Sequence, residues 1–294
     1  MTRRGWFLFA ALGLIWGVPY LMIKVAVRDL DPAVVAGGRT LLAALLLLPT
    51  TLRRRVLGPA LRRWRWLLIY TVVEIVGPWL FLGHAETRLN SSTAGLLVAV
   101  VPLIAAVVLT ASGTDRLDGR RITGLLVGFA GVVALVGLDL RFDDLGAIGL
   151  VLLTAIGYAL GPIIITRKLA DLPPLGVVTG SLLMAAIIYL PLAIWRRPQR
   201  VSLASGLSVV GLAVICTAVA FLLLFALLAE IGPARATVIT YLNPAVAIAL
   251  GVVVLGEPLT IGMAVGFPLV IVGSILATAR SRQRSALAEP VAAS

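Results

Sequence analysis

Residues 91–108 read SSTAGLLVAVVPLIAAVV, and residues 233–250 read PARATVITYLNPAVAIAL. Laid over each other at an offset of 142, they put Ala94 on Ala236 and Pro102 on Pro244. The same register holds without a gap far to either side. Upstream, Pro32 falls on Pro174, Gly38 on Gly180, Pro49 on Pro191, and Arg54-Arg55 on Arg196-Arg197. Downstream, Leu117 falls on Leu259, Gly124 on Gly266 and Gly131 on Gly273, while Asp115 meets Glu257. One register sustained over such a span reads as an internal duplication.

Each copy is strongly apolar. Of 294 residues, 60% are hydrophobic and 13% charged, with mean hydropathy +1.08. A soluble domain carries about 25% charged residues. Apolar runs, each long enough to cross a hydrocarbon core of about 30 Å, fall at 6–27, 33–52, 65–83, 92–112, 121–138, 146–166, 175–195, 206–228, 235–255 and 261–279. Five runs per copy is an odd number, so the second copy enters from the opposite side, an arrangement common in secondary transporters. The prediction is an all-α membrane protein of ten transmembrane helices in two inverted-topology repeats. The repeats cover 1–138 and 139–279, and residues 280–294 form a disordered cytoplasmic tail.

Charge orients this path. Of the 25 Lys and Arg, 17 lie in segments on the side of the N-terminus and six on the other side; Lys24 and Arg39 lie inside apolar runs. Short cytoplasmic segments collect Lys and Arg, so both termini are predicted cytoplasmic. The outer cluster Arg196, Arg197 and Arg200 runs against the rule, and the duplication explains it as the image of Arg53–Arg55. The net charge of +12 would suggest nucleic acid in a soluble domain. Here it follows membrane topology, and nucleic acid is excluded. Cys216 is the single cysteine, which rules out an intrachain disulfide and a Cys/His metal cluster; neither metal nor cofactor is expected. Met1-Thr2-Arg3-Arg4 followed by apolar sequence resembles a signal peptide, but the run continues through Val27 and reads as the first membrane helix.

The ordered motifs resemble the drug/metabolite transporter superfamily, specifically EamA-type permeases, over residues 6 to about 279. The resemblance rests on Trp16-Gly17 with Lys24 in helix 1 and Pro32 followed by Arg39 in helix 2. It continues with the small-residue start and central Pro102 of helix 4, then Pro244, Gly256-Glu257 and Gly266 in the second half. Asp115 departs from the Glu usual at its place. The resemblance implies ten helices, a central cavity lined by helices 1, 3, 4, 6, 8 and 9, and export or uptake of small metabolites. With the Ala-, Leu-, Gly- and Arg-rich composition, it points to a bacterial inner membrane.

Ionisable groups inside apolar runs are costly and usually face a partner, a bundle interior or water. Glu74 lies near mid-membrane and Arg39 roughly 9 Å deep at a rise of about 1.5 Å per residue; Lys24 is shallower. Glu74 reads as a proton or substrate-amine site, or as half of a salt bridge with Arg39. Arg39 and Lys24 read as holders of an anionic group, or as a structural clamp and a snorkelling lysine. Trp16, Tyr20 and Lys24 recur every four residues along helix 1. Pro19 loosens that helix, and its image in helix 6 is Gly161 beside Pro162, with Tyr158 matching Trp16. Two weakened helices in matching places point to a binding site, to which Trp79, Tyr241 and Asn243 are added. Pro102 and Pro244 are expected to bend helices 4 and 9. The G-x-x-x-G pairs Gly124/Gly128 and Gly262/Gly266 serve either packing within the chain or a homodimer through helices 5 and 10. His84 is expected to be a solvated loop histidine.

No phosphate-cradling loop interrupts the sequence, which leaves facilitated diffusion or coupling to protons or sodium. The reading is a secondary transporter of amino acids or related partly apolar compounds, working by alternating access. An embedded enzyme acting on a lipid would need clustered Asp, His or Ser near one face; the chain has one His, and its adjacent acids are Asp143-Asp144. A receptor-like protein is the third class, separated from a carrier by solute flux.

Overall fold

The computed structural model describes residues 2–113, 118–139, 144–231 and 239–278. Among them every regular element is helical. In chain order the long helices are α1 (Arg3–Ala26), α2 (Pro32–Arg53), α3 (Trp64–Glu86), α4 (Ser91–Ala111), α5 (Gly119–Asp139), α6 (Leu145–Leu169), α7 (Pro174–Trp195), α8 (Leu203–Glu230), α9 (Ile239–Leu255) and α10 (Ile261–Thr278). Eight of them, all but α5 and α9, are long and apolar enough among the described residues to cross a membrane. A short helix, Leu57–Arg62, joins α2 to α3. Asp115 and the tail from Arg280 lie outside the described residues.

The helix starts follow local chemistry. Thr2 accepts a hydrogen bond from the Gly5 amide at 3.0 Å, and Asp31 accepts one from Ala33 at 2.9 Å with Pro32 at the first turn of α2. Both satisfy amides that a helix start otherwise leaves orphaned. Large apolar side chains turned outward, such as Phe129, Ile187 and Val253 (66, 68 and 81% exposed), are what a lipid-facing surface requires.

The packing has a two-fold pattern. Helix α5 lies against α10 and α2 against α7; α1 contacts α8 and α9, while α6 contacts α3 and α4. Exchanging the first five helices for the last five turns these pairings into one another. Glycines set the α5–α10 contact: a Cβ on Gly131 would lie 2.8 Å from the Val270 amide nitrogen, and one on Gly266 would lie 2.8 Å from the Gly131 carbonyl. Gly124 and Gly128 meet Ala277, Gly273 and Leu103 in the same way, so these small residues serve packing within the chain.

Local distortions repeat too. Helix α3 contains a π-helical turn at Thr71–Val76, and α8 contains one at Val214–Val219. In α3 the cause is Pro78, which has no N–H to continue the ladder. Two residues before Pro78, the Val76 carbonyl accepts from the Tyr189 hydroxyl at 2.6 Å, which ties the turn to α7. In α8 the Thr217 hydroxyl donates to the Leu212 carbonyl at 2.8 Å. Helices α4 and α9 are each followed by a glycine at φ +67°, Gly113 and Gly256, the left-handed conformation that favours glycine at a helix end. At Pro102 the halves differ: α4 breaks at Ala99–Val100, whereas α9 runs as one helix through Pro244.

Ties between helix ends are local. Arg63 grips Asp171 with two bonds of 2.7 Å, Thr2 donates to Glu230 at 2.5 Å, and Ser202 and Ser205 donate to Asp29. Each joins ends that an alternating path puts on one face.

Candidate substrate site

Arg39 points from α2 into the bundle, 8% exposed. Its guanidinium lies over Trp79 of α3, Cζ 3.6 Å from the ring centre, and Nε donates to the Thr217 hydroxyl of α8 at 2.8 Å. A planar cation suits both contacts, because it stacks on an aromatic face while donating in its own plane. The groups in electrostatic reach are Cys216, Tyr158, Tyr189 and Tyr20. Among the described residues no carboxylate pairs with Arg39. A crevice of about 10 Å³, lined by Arg39, Trp79, Pro32, Ala36, Gly83 and Leu212, leads towards it. That space holds one water at most, so this approach is closed.

Glu74 sits in the π turn of α3. The turn fits against α6 because α6 presents Gly157 and Gly161. A Cβ on Gly157 would collide with the Val73 carbonyl and lie 2.6 Å from Pro78; one on Gly161 would collide with the Glu74 carboxylate. The carboxylate therefore lies on the backbone of α6, and its Oε2 is buried without a hydrogen-bond partner. Tyr70 and Tyr158 are in electrostatic range, and Tyr158 also reaches Arg39. No salt bridge joins Glu74 to Arg39, and Tyr158 lies within electrostatic reach of both. Among the described residues, Glu74 Oε2 has no hydrogen-bond partner and Arg39 no carboxylate; each can take a charge of opposite sign, or a proton in the case of the acid.

Lys24 serves another purpose. Its Nζ donates at 2.7 Å to the carbonyls of both Glu86 and Leu89, the orphan carbonyls at the end of α3, where a cation also meets the negative end of the helix dipole. Beside it the Glu86 carboxylate is fully buried, with both oxygens unpartnered. Glu257, in the turn between α9 and α10, accepts from the amides and hydroxyls of Ser91 and Ser92 at 2.5–2.9 Å. Burial pushes its carboxyl up, but those four donors at the start of α4 outweigh it and hold the group below the ordinary value.

The remaining predicted residues divide. Tyr20 is buried against Gly95 of α4, whose missing Cβ makes room for Ala247 of α9. Tyr158 packs beside Trp79 in the cluster under α2 and α7. Trp16 belongs to a separate cluster with Leu12, Ala220 and Leu227. The Asn243 amide, turned so that both its atoms are satisfied, donates to the carbonyls of Gly13 (3.2 Å) and Ile239 (3.1 Å), tying α9 to α1. The Tyr241 side chain lies outside the described residues. Pro19 is buried within α1, and Pro162 precedes a π-helical end of α6 at Ile165–Leu169. His84 is exposed, its Nδ1 2.9 Å from the Leu80 carbonyl.

The sequence pattern of the EamA-like transporter family matches twice, over residues 3–137 and 145–279. The chain belongs to this family. An uncharacterized inner membrane transporter of Escherichia coli K12, YedA, is 31% identical over 259 residues, 85% of this chain and 82% of the relative. A transporter of Bacillus subtilis 168, YvbV, is 26% identical, covering 96 and 93% of the two chains. A protein of Salmonella typhimurium LT2 named a probable amino-acid metabolite efflux pump is 25% identical, covering 93 and 94%. One solved structure at 20% identity superposes with a TM-score of 0.68 over 95% of this chain and 98% of the other, a likeness of fold. The protein is a multi-pass membrane transporter of the EamA-like family.

Thr217, Tyr189, Gly157 and Glu86 escaped the sequence reading of this EamA-like site. The first three are residue types that occur throughout apolar helices and carry no signal until their neighbours are known. Glu86 had one: an acid at the end of an apolar run, two residues from His84.

Proposed function

We propose that this chain is a secondary carrier that moves small metabolites, amino acids or related partly apolar compounds, across the bacterial inner membrane by alternating access. Its ten helices cross the membrane as two inverted halves, residues 1–138 and 139–279, with both termini in the cytoplasm. The two-fold packing, the paired π turns and the twofold family match support this reading. The observation that carries the mechanism is the Glu74 carboxylate, buried mid-helix on Gly161 with Oε2 unpartnered.

Glu74 holds the coupling proton, or in a sodium-driven cycle the cation, and accepts the substrate amine. Arg39, held by Trp79 and Thr217, takes the substrate's anionic group. Tyr158 and Tyr20 line the space between. The closed crevice above Arg39 is one end of the cycle, and rocking of the halves opens it. The amino-acid class agrees with the name of the Salmonella relative.

The test uses vesicles loaded with the twenty amino acids under an imposed pH gradient, with efflux read by mass spectrometry. Glu74→Gln should abolish gradient-driven efflux while leaving helicity and micellar solubility unchanged. Undiminished gradient dependence in that variant removes the coupling role.

A further inference from the structure

A cavity of about 470 Å³ opens where the start of α3 meets the end of α6. Its walls are Arg62, Arg65, Arg167 and Lys168 with Trp64 and Trp66, and Arg63 closes one side. Arg63 is committed to Asp171 and to the Lys168 carbonyl at 2.9 Å. Arg167 reaches the Ser112 hydroxyl at 3.4 Å. The tryptophans do not neutralise the rest, but they orient it. The Lys168 Nζ lies 4.6 Å from the Trp66 ring centre, and the Arg65 guanidinium 5.6 Å from that of Trp64. Arg62, Arg65 and Lys168 thus converge on one hollow beside Arg63 and Arg167, which have partners of their own.

The hollow opens onto lipid. Trp66, Ile69 and Val72, spaced three apart on α3, are 40, 43 and 44% exposed, so an apolar stripe runs from the basic rim into the span. Tryptophans of this kind sit at headgroup level. Basic pockets between membrane helices bind anionic headgroups. A soluble anion would satisfy the cations and leave the stripe unused.

We propose that this groove binds the phosphate of an anionic phospholipid, with the acyl chains lying along Trp66, Ile69 and Val72. The site is separate from the Arg39–Glu74 region and does not depend on the transported solute.

The full chain in micelles, offered equal phosphatidylglycerol and phosphatidylcholine and read by native mass spectrometry, tests it. The wild type should retain phosphatidylglycerol over phosphatidylcholine, and R62Q/R65Q should weaken that preference about twenty-five-fold, at roughly fivefold per cation removed. R62K/R65K should keep most of it. Equal retention of both lipids by the wild type overturns the proposal without recourse to a variant. An unchanged preference in R62Q/R65Q overturns it too. Full displacement of phosphatidylglycerol by millimolar inorganic phosphate would replace it with a soluble-anion site.

Discussion

Replacing Gly161 by alanine puts a methyl group where the Glu74 carboxylate now rests. The added Cβ would overlap Oε2 and lie 2.5 Å from Glu74 Cδ and 3.0 Å from Glu74 Cβ. In a helix interior, alanine for glycine is worth about 0.5–1 kcal/mol in the favourable direction. Forcing a methyl into a filled contact costs about 1–3 kcal/mol. The balance is a loss of about 1 kcal/mol for Gly161→Ala. Glu74→Ala removes Cδ and the carboxylate and leaves only the 3.0 Å neighbour, so in that background the same methyl should be neutral or stabilising. The coupling between the two sites is then about 1–2 kcal/mol, well inside the range for contacting residues. Gly157→Ala is the control: its methyl would meet the Val73 carbonyl and Pro78, which Glu74→Ala does not move, so its cost should persist. Reversible unfolding in mixed micelles with rising SDS, followed by circular dichroism, gives all the terms. Additive effects of Gly161→Ala and Glu74→Ala would refute the contact and, with it, the placement of Glu74 against α6.

Glu257→Gln should cost about 2 kcal/mol, since hydrogen bonds to a charged acceptor are worth about 1.5–3 kcal/mol each and glutamine keeps only part of them; an unchanged unfolding midpoint would contradict the clasp on Ser91 and Ser92. A carboxylate held below its ordinary value adds stability above that value and loses it as pH falls through the lowered one. Wild-type stability should therefore drop below about pH 4, and Glu257→Gln should flatten that part of the profile. Asp29, held low first by the Ser202 hydroxyl and then by Ser205, acts in the same direction. Arg39→Lys should destabilise by about 1 kcal/mol, because an ammonium loses the guanidinium contact over Trp79 and the Nε bond to Thr217; equal stability would mean that neither contact matters.

The all-helical membrane class was legible because a span of apolar residues has few alternatives in lipid, and the 142-residue register pointed to the two stretches that the family pattern matches. Arg39, Glu74 and Lys24 were legible as rarities in apolar runs. Their partners were not. That Lys24 would cap α3, that Trp79 would lie under Arg39, and that Glu74 would rest on Gly161 depend on rotation and register between helices. Apolar sequence encodes these only weakly when the helices are apolar all round. The π turns had a signal in Pro78, which removes a ladder donor, but nothing marks Val214–Val219 except its place in the second half. The asymmetry between Pro102 and Pro244, one at a break and one inside a continuous helix, has no sequence signature that we can identify.

The inverted duplication is tested most directly by labelling single cysteines with a membrane-impermeant maleimide in a Cys216→Ala background. Cysteines at Thr2, Ala170 and Ser285 should react only after the membrane is opened, and those at Gln199 and Leu259 should react in intact cells. Termini on opposite faces, or Ala170 and Gln199 on the same face, would contradict the inverted halves and the carrier mechanism built on them.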